Sequence, residues 1–309
     1  MNEERRNPGL GVRVGLSHNR EILVVGYGSL LSGHGLGRTR LVAHDATPVS
    51  IGNARRGLAK PSSHGRYLAM DIEPVDRTAP ISASIGLLGE GIGGLLLSFD
   101  RSDAGKIAQR EDYRADAFER LIGLADRAGK SLGEYLMEIA RATNFDLLAY
   151  RIALRTMLDY TSPGYIFHPI EIDDGRIAII AIGSGFEGSG DPRIVSRRRQ
   201  FGMDRLLSLE ESMRAEMPGF ERAGQIAYFA ECMLGVLHGL GVGDLAPGLD
   251  PSGELIRELA AHLGPIAAGE RDRFMEATSL DAARYLKRFS FSIPGPSSLA
   301  AILERAGVR

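Results

Sequence analysis

A short apolar run, Ile22-Leu23-Val24-Val25, breaks abruptly into Gly26-Tyr27-Gly28-Ser29-Leu30-Leu31. The pattern predicts a buried strand opening into a tight turn, because glycine tolerates backbone angles and close approaches that a side chain forbids. Ser32 to Arg40 holds too much glycine for a stable helix and reads as a loop. Apolar or alternating runs follow at Leu41 to Ala43, Thr47 to Ile51, Tyr67 to Ile72, Ser82 to Leu88 and Gly94 to Phe99, separated by turn residues. Short strands in succession, with few helical patterns between them, predict an antiparallel barrel or curled sheet.

Asp100 to Glu111 reads as a short helix starting straight after a strand, with Ser102 or Asp103 available as N-cap and Glu111 near its end. From about residue 116 the period changes, and Leu121, Leu124, Leu132, Leu136, Ile139, Leu147, Tyr150 and Leu154 recur at helical spacing. Strand character returns in Tyr165 to Ile172 and Arg176 to Ile182, around the hairpin signal Asp173-Asp174-Gly175. Gly183 to Pro192 is the main break. Beyond it, helical periodicity dominates at Met203 to Met213, Ile226 to Leu240, Leu255 to Leu263 and Asp281 to Phe289.

The fold expected is α+β. A small, mostly antiparallel β-barrel domain occupies 21–190 with a helical insertion at about 116–160, an α-helical C-terminal unit occupies 191–309, and 1–20 is a flexible lead-in.

Composition narrows the classes. Of 309 residues, 44% are hydrophobic and 25% charged, an ordinary balance for a globular chain. The formal charge of −2 supplies no field that would draw the whole protein to nucleic acid or an anionic membrane, so neither partner is expected. The single cysteine, Cys232, excludes an intramolecular disulfide and is expected on the buried or semi-buried face of a helix. No apolar run is long enough to span a bilayer and no signal-peptide pattern opens the chain, which leads to the expectation of a cytoplasmic protein. The seven histidines are scattered, His34 alone lying near the glycine turn, so no metal and no cofactor are expected. No pattern fixes the oligomeric state.

The turn at Tyr27, Gly28, Ser29 and Leu30 is the first candidate for chemistry. Backbone N–H groups around Ser29 suit a bound anion or carbonyl oxygen, and the same residues also suit a plain β-turn. A dinucleotide site is disfavoured, since the third glycine of G-x-G-x-x-G falls on Leu31 and no crossover helices follow. Ser29 does not lie in a G-x-S-x-G setting either. Arg193, Arg197, Arg198 and Arg199 form either a solvated basic face or an anion site for a carrier-linked or nucleotide-linked group.

Glu111 is the second candidate, within Gln109-Arg110-Glu111-Asp112-Tyr113. With Tyr27-Gly28-Ser29-Leu30 after the first strand, Gly52-Asn53-Ala54-Arg55-Arg56 at a strand end, and Gly94 leading through a short helix to Tyr113, the chain resembles the gamma-glutamylcyclotransferase-like family. The resemblance covers roughly 21–115 and resumes at 165–185. It departs at Asp112, where the family usually has glycine, and does not extend to the helical insertion or the C-terminal unit. It implies a metal-independent enzyme that cyclises a small gamma-glutamyl amide, or a carrier-linked one, to 5-oxoproline with release of an amine. Tyr27 to Leu30 would hold the glutamyl moiety, and Glu111 would be the general acid/base. Two other readings stay open: a transferase or lyase acting on another acyl or amide group in the same barrel, and a non-catalytic binding or assembly protein.

Overall fold

The opening apolar run is strand β1 (Glu21–Gly26), buried on both faces from Val24 onward, which is why it reads as a run rather than an alternation. The computed structural model describes residues 21–31, 36, 39–62, 67–85, 92–160 and 165–183, with 206, 207, 209–212, 219–222, 224, 225 and 228. The lead-in at 1–20, His34, Arg193, Arg197, Arg198, Arg199, Cys232 and the later helical segments lie outside the described residues.

β1 pairs antiparallel with β6 (Ile92–Asp100), from Glu21 opposite Asp100 to Gly26 opposite Leu95. β6 pairs antiparallel with β2 (Asp45–Gly52), and β2 likewise with β5 (Ser82–Ile85). β7 (Tyr165–Ile172) and β8 (Ile177–Gly183) form the expected hairpin, its turn holding Gly175 at φ 87°. Parallel pairing of β5 with β7 and of β8 with β1 closes the ring in the order β1-β6-β2-β5-β7-β8. The barrel is therefore mixed. Its parallel seams join strands far apart in sequence, as parallel pairing requires.

Two strands stand outside the ring. β3 (Ala54–Pro61) and β4 (Leu68–Pro74) form an antiparallel hairpin of their own. β3 escapes a sequence reading because Ala-Arg-Arg-Gly-Leu-Ala-Lys-Pro lacks the β-branched and aromatic residues that mark strands. Conversely, Leu41 to Ala43 is not a strand. Leu41 is buried and its N–H donates to the Leu36 carbonyl at 3.1 Å, which folds this short run back on itself.

A 3-10 turn (Arg101–Asp103) and helix α1 (Ala104–Arg110) follow β6 without a break. The cap differs from the expected one. Asp100 accepts from the Ser102 N–H at 2.7 Å, whereas Asp103 makes no capping bond and pairs with Lys106. The helical insertion comprises α2 (Ala115–Arg127), α3 (Leu132–Ala142) and α4 (Leu147–Leu158). α2 buries Ala117, Phe118, Leu121, Ile122 and Ala125, the single face that helical periodicity demands. α3 lies on β7 and β8, and Tyr150 of α4 donates to the Phe167 carbonyl at 2.7 Å. Phe118 packs on Phe167 with ring centroids 4.6 Å apart, and Tyr113 packs on Phe167 at 5.2 Å. The insertion thus braces the strand hairpin from outside and ends in an aromatic layer beside α1. Among the described residues, no helix is long and apolar enough to cross a membrane.

α3 starts with a capping box, in which the Ser131 side chain accepts from the Glu134 N–H and Glu134 accepts from the Ser131 N–H. Replacing Ser131 by Ala is expected to lower stability by about 0.5–2 kcal/mol. Urea unfolding checks this: the midpoint falls while the slope stays constant.

Candidate functional site

The turn after β1 is a 3-10 turn (Ser29–Leu31). Gly26 and Gly28 are needed for close approach and not for unusual backbone angles, since neither has a positive φ. A Cβ on Gly26 would lie 2.8 Å from the Leu30 Cβ, and one on Gly28 would lie 3.2 Å from the Met70 Cβ. The turn is thereby pressed between its own Leu30 and strand β4. Leu30 itself is part of the hydrophobic core. Arg56 donates to the Tyr27 carbonyl and to the Gly93 carbonyl, each at 3.2 Å, and so ties the turn to β3 and β6.

Tyr27 is buried, and its hydroxyl donates to the Ala181 carbonyl of β8 at 2.5 Å. Burial holds the phenol well above its ordinary pKa, and the nearby Asp71, Glu111 and Tyr228 push the same way against a side-chain hydrogen bond with Tyr165. The phenol is therefore a neutral donor. Asp71, fully buried on β4, accepts from the Gly183 N–H at 2.6 Å and the Ile72 N–H at 2.8 Å, binding the outer hairpin to the end of β8.

Glu111 is the C-cap of α1. Asp112 follows at φ 51°, the Tyr113 N–H donates to the Ala108 carbonyl at 2.8 Å, and the Asp112 N–H donates to the Gln109 carbonyl at 3.3 Å. These two bonds make a Schellman motif, whose left-handed position favours glycine. That is the physical reason why glycine suits the position where this chain has Asp112. Aspartate is one of the few residues that tolerate the left-handed region, and here its carboxylate also accepts from the Lys60 Nζ at 2.5 Å. Lys60, buried on β3, lies with its ammonium 4.4 Å from the centroid of the Tyr165 ring.

The Glu111 side chain ends inside the protein, with Glu111 only 8% exposed. Burial raises its carboxyl pKa above the ordinary value, and Asp112 adds to this, while the positive charges of Arg110 and Lys60 offset part of the rise. Arg110 also reaches the turn, where its Nη2 donates to the Ser29 Oγ. Its Nε is buried without a hydrogen-bond partner among the described residues. Tyr27, Gly28, Ser29 and Glu111 thus fall into one cluster, joined by Arg110 and closed by Lys60, Tyr165, Met70 and Asp71.

Arg110 stood in the quoted motif with no role assigned to it. Lys60, Asp71 and Tyr165 carry no sequence signal, because their partners are brought in by packing between elements far apart in the chain. Among the described residues, no group of three or more His, Cys, Asp or Glu is placed to hold a metal ion. His168 on β7 is a core residue: its Nδ1 lies 2.8 Å from the Pro169 carbonyl oxygen, and burial pushes its pKa down to about 4. No protein-family model, curated protein or solved structure matches this chain.

Asp112→Gly is expected to keep the fold, since glycine relieves the left-handed backbone while the Lys60 pair is lost. Asp112→Val is expected to cost about 1–3 kcal/mol, the penalty of a branched residue in that region. Thermal melts of the two variants side by side decide it, and equal losses would contradict the assignment.

The raised Glu111 pKa also has a stability sign. The folded state holds this proton more tightly than the unfolded chain, so the stability it adds is complete below the ordinary carboxylate range and is lost as pH rises through the folded pKa. Glu111→Gln cannot ionise. Its stability relative to the parent is expected to grow from pH 4 towards neutral pH, in paired urea titrations; a difference that is flat or shrinks would refute the burial effect.

Proposed function

We propose that this chain is a gamma-glutamylcyclotransferase-type enzyme on a cyclotransferase-like barrel, closing a gamma-glutamyl amide to 5-oxoproline and releasing an amine. One observation carries the reading: the buried Glu111 carboxyl, with its raised pKa, shares a cluster with the glycine turn through Arg110 and Ser29.

The reaction needs little from a protein. The α-amino nitrogen of the substrate attacks its own γ-carbonyl carbon, a C–N bond forms, a tetrahedral centre collapses, and the original amide C–N bond breaks. Protons must move with these bonds. The α-ammonium group gives up one before attack and a second as the lactam N–H forms, while the departing nitrogen takes up one as the amide bond breaks and a second in leaving as an ammonium ion. A single carboxylate serves both steps, and its efficiency improves as its pKa rises towards working pH. Burial moves the Glu111 pKa in that direction. The other requirement is a folded-back substrate conformer, and holding reacting groups in such geometry lowers barriers by up to about 7–11 kcal/mol in ideal cases.

In this reading the turn and Arg110 bind the α-carboxylate. The buried Arg110 Nε lacks a protein acceptor among the described residues, and a planar guanidinium suits a carboxylate. Lys60 adds positive charge near Glu111 while its ammonium is engaged by Asp112 and the Tyr165 ring.

The test is turnover of a panel of gamma-glutamyl amines, with 5-oxoproline followed by mass spectrometry. Glu111→Gln is expected to lower kcat by about 10²–10⁴-fold with KM nearly unchanged. The acid limb of the parent pH profile should lie above the ordinary carboxylate range, because the working base is Glu111. Unchanged turnover in the variant removes Glu111 from the mechanism, and no lactam from any member of the panel removes the cyclotransferase reading.

A further inference from the structure

The described residues beyond 205 lie far from the barrel in sequence, yet they cover both edges of the β3–β4 hairpin. At the β3 edge, Leu207 pairs with Leu58, the two residues exchanging backbone hydrogen bonds of 2.9 Å in each direction. The fit is close: a Cβ on Gly57 would lie 2.7 Å from the Leu206 Cβ. At the β4 edge, side chains take the place of a strand. The Gln225 Oε1 accepts from the Leu68 N–H at 2.7 Å and its Nε2 donates to the Leu68 carbonyl at 3.1 Å. The Tyr228 hydroxyl accepts from the Met70 N–H at 2.8 Å, and its ring stacks on Tyr67 with centroids 4.6 Å apart. Leu68 and Met70 are two residues apart on a strand, so Gln225 and Tyr228, each helical, take alternate positions along one strand edge.

Both backbone groups of Met70 are bound by tyrosine hydroxyls. Its N–H goes to Tyr228, and its carbonyl accepts from the Tyr165 hydroxyl at 2.5 Å. Its Cβ is the atom that Gly28 makes room for, and the Tyr228 Oη lies 3.6 Å from where a Gly28 Cβ would project. We infer that Tyr228 is a positioning residue for the site, fixing Met70 and through it the Tyr27–Gly28 turn, so that the site is complete only with the chain beyond residue 205. For catalysis this rests on the cyclotransferase reading; the effect on the turn does not.

Tyr228→Phe removes the acceptor and keeps the stacked ring. Gln225→Met is the control, because it strips the neighbouring edge amide of its partner without touching Met70. Two readouts are taken on each full-length variant: amide hydrogen exchange of the 26–31 peptide without substrate, and kinetics on a gamma-glutamyl amine. Tyr228→Phe is expected to speed exchange in the turn and to raise KM, each by about tenfold, with the acid limb of the pH profile unmoved. Gln225→Met is expected to change neither. Gly28→Ala, which crowds the same contact from the other side, is expected to reproduce the faster exchange and keeps the idea testable should Tyr228→Phe fold poorly. Unchanged exchange in Tyr228→Phe, or equal changes in Tyr228→Phe and Gln225→Met, would overturn the assignment. Faster exchange in Tyr228→Phe, with a parent that makes no lactam, would leave Tyr228 as the support of the turn and sink the cyclotransferase reading alone.

Discussion

The left-handed turn at Asp112 is the constraint on which the candidate site depends. A helix seven residues long has little stability of its own, and most of what holds α1 comes from packing. Its last turn is closed by the Schellman bonds from Asp112 and Tyr113, and that reversal has two results at once. Glu111 is left as the C-cap with its side chain buried, and Tyr113 is carried into the aromatic layer with Phe118, Tyr160 and Phe167. A chain that continued as helix past Arg110 would lose the reversal that carries Tyr113 into that layer directly after Glu111. The site is therefore built from a backbone conformation first and from side-chain chemistry second.

Around that reversal the contacts form a closed circuit. Arg110 joins the helix end to Ser29, Gly28 presses on Met70, the Met70 carbonyl takes the Tyr165 hydroxyl, Tyr165 carries Lys60 over its ring, and Lys60 returns to Asp112. The charges on the circuit compete. Arg110 and Lys60 favour an ionised Glu111, but burial and Asp112 oppose them and prevail. Geometry makes that outcome reasonable: Lys60 is engaged by Asp112, and Arg110 donates to Ser29 of the turn. Neither cation gives Glu111 the direct bidentate partner that would hold it ionised, so desolvation decides.

What the sequence made legible follows the range of the interactions. β1, the β7–β8 hairpin and the insertion helices are written in local periodicity and turn chemistry, and they stand where those patterns put them. β3 was hidden by its charged residues, yet those residues are what the structure uses: Arg56 fixes the turn and Lys60 faces Glu111. Of the two uses that the turn glycines offer, backbone freedom and close approach, the structure takes close approach: Gly26 meets Leu30 within the turn, and Gly28 meets Met70 on a strand more than forty residues away. Asp71 and Tyr165 had no signal for the same reason. Each gains its role from a neighbour supplied by sheet topology, and no window of sequence contains both partners.

The β3–β4 hairpin depends on both the barrel and the C-terminal chain. It lies outside the closed ring, so unlike the barrel strands it keeps two edges, and an open edge is both unsatisfied and prone to pair with another chain. Leu207 satisfies one edge at a single bridge, and Gln225 and Tyr228 satisfy the other. The hairpin also carries Met70, Lys60, Asp71 and Arg56, so whatever fixes its edges fixes four groups around the turn. Arg56 and Asp71 anchor it to the barrel, through the Tyr27 and Gly93 carbonyls and the Gly183 N–H. Barrel and C-terminal chain both hold these two strands, meeting at Met70, and the glycine turn is seated against that residue.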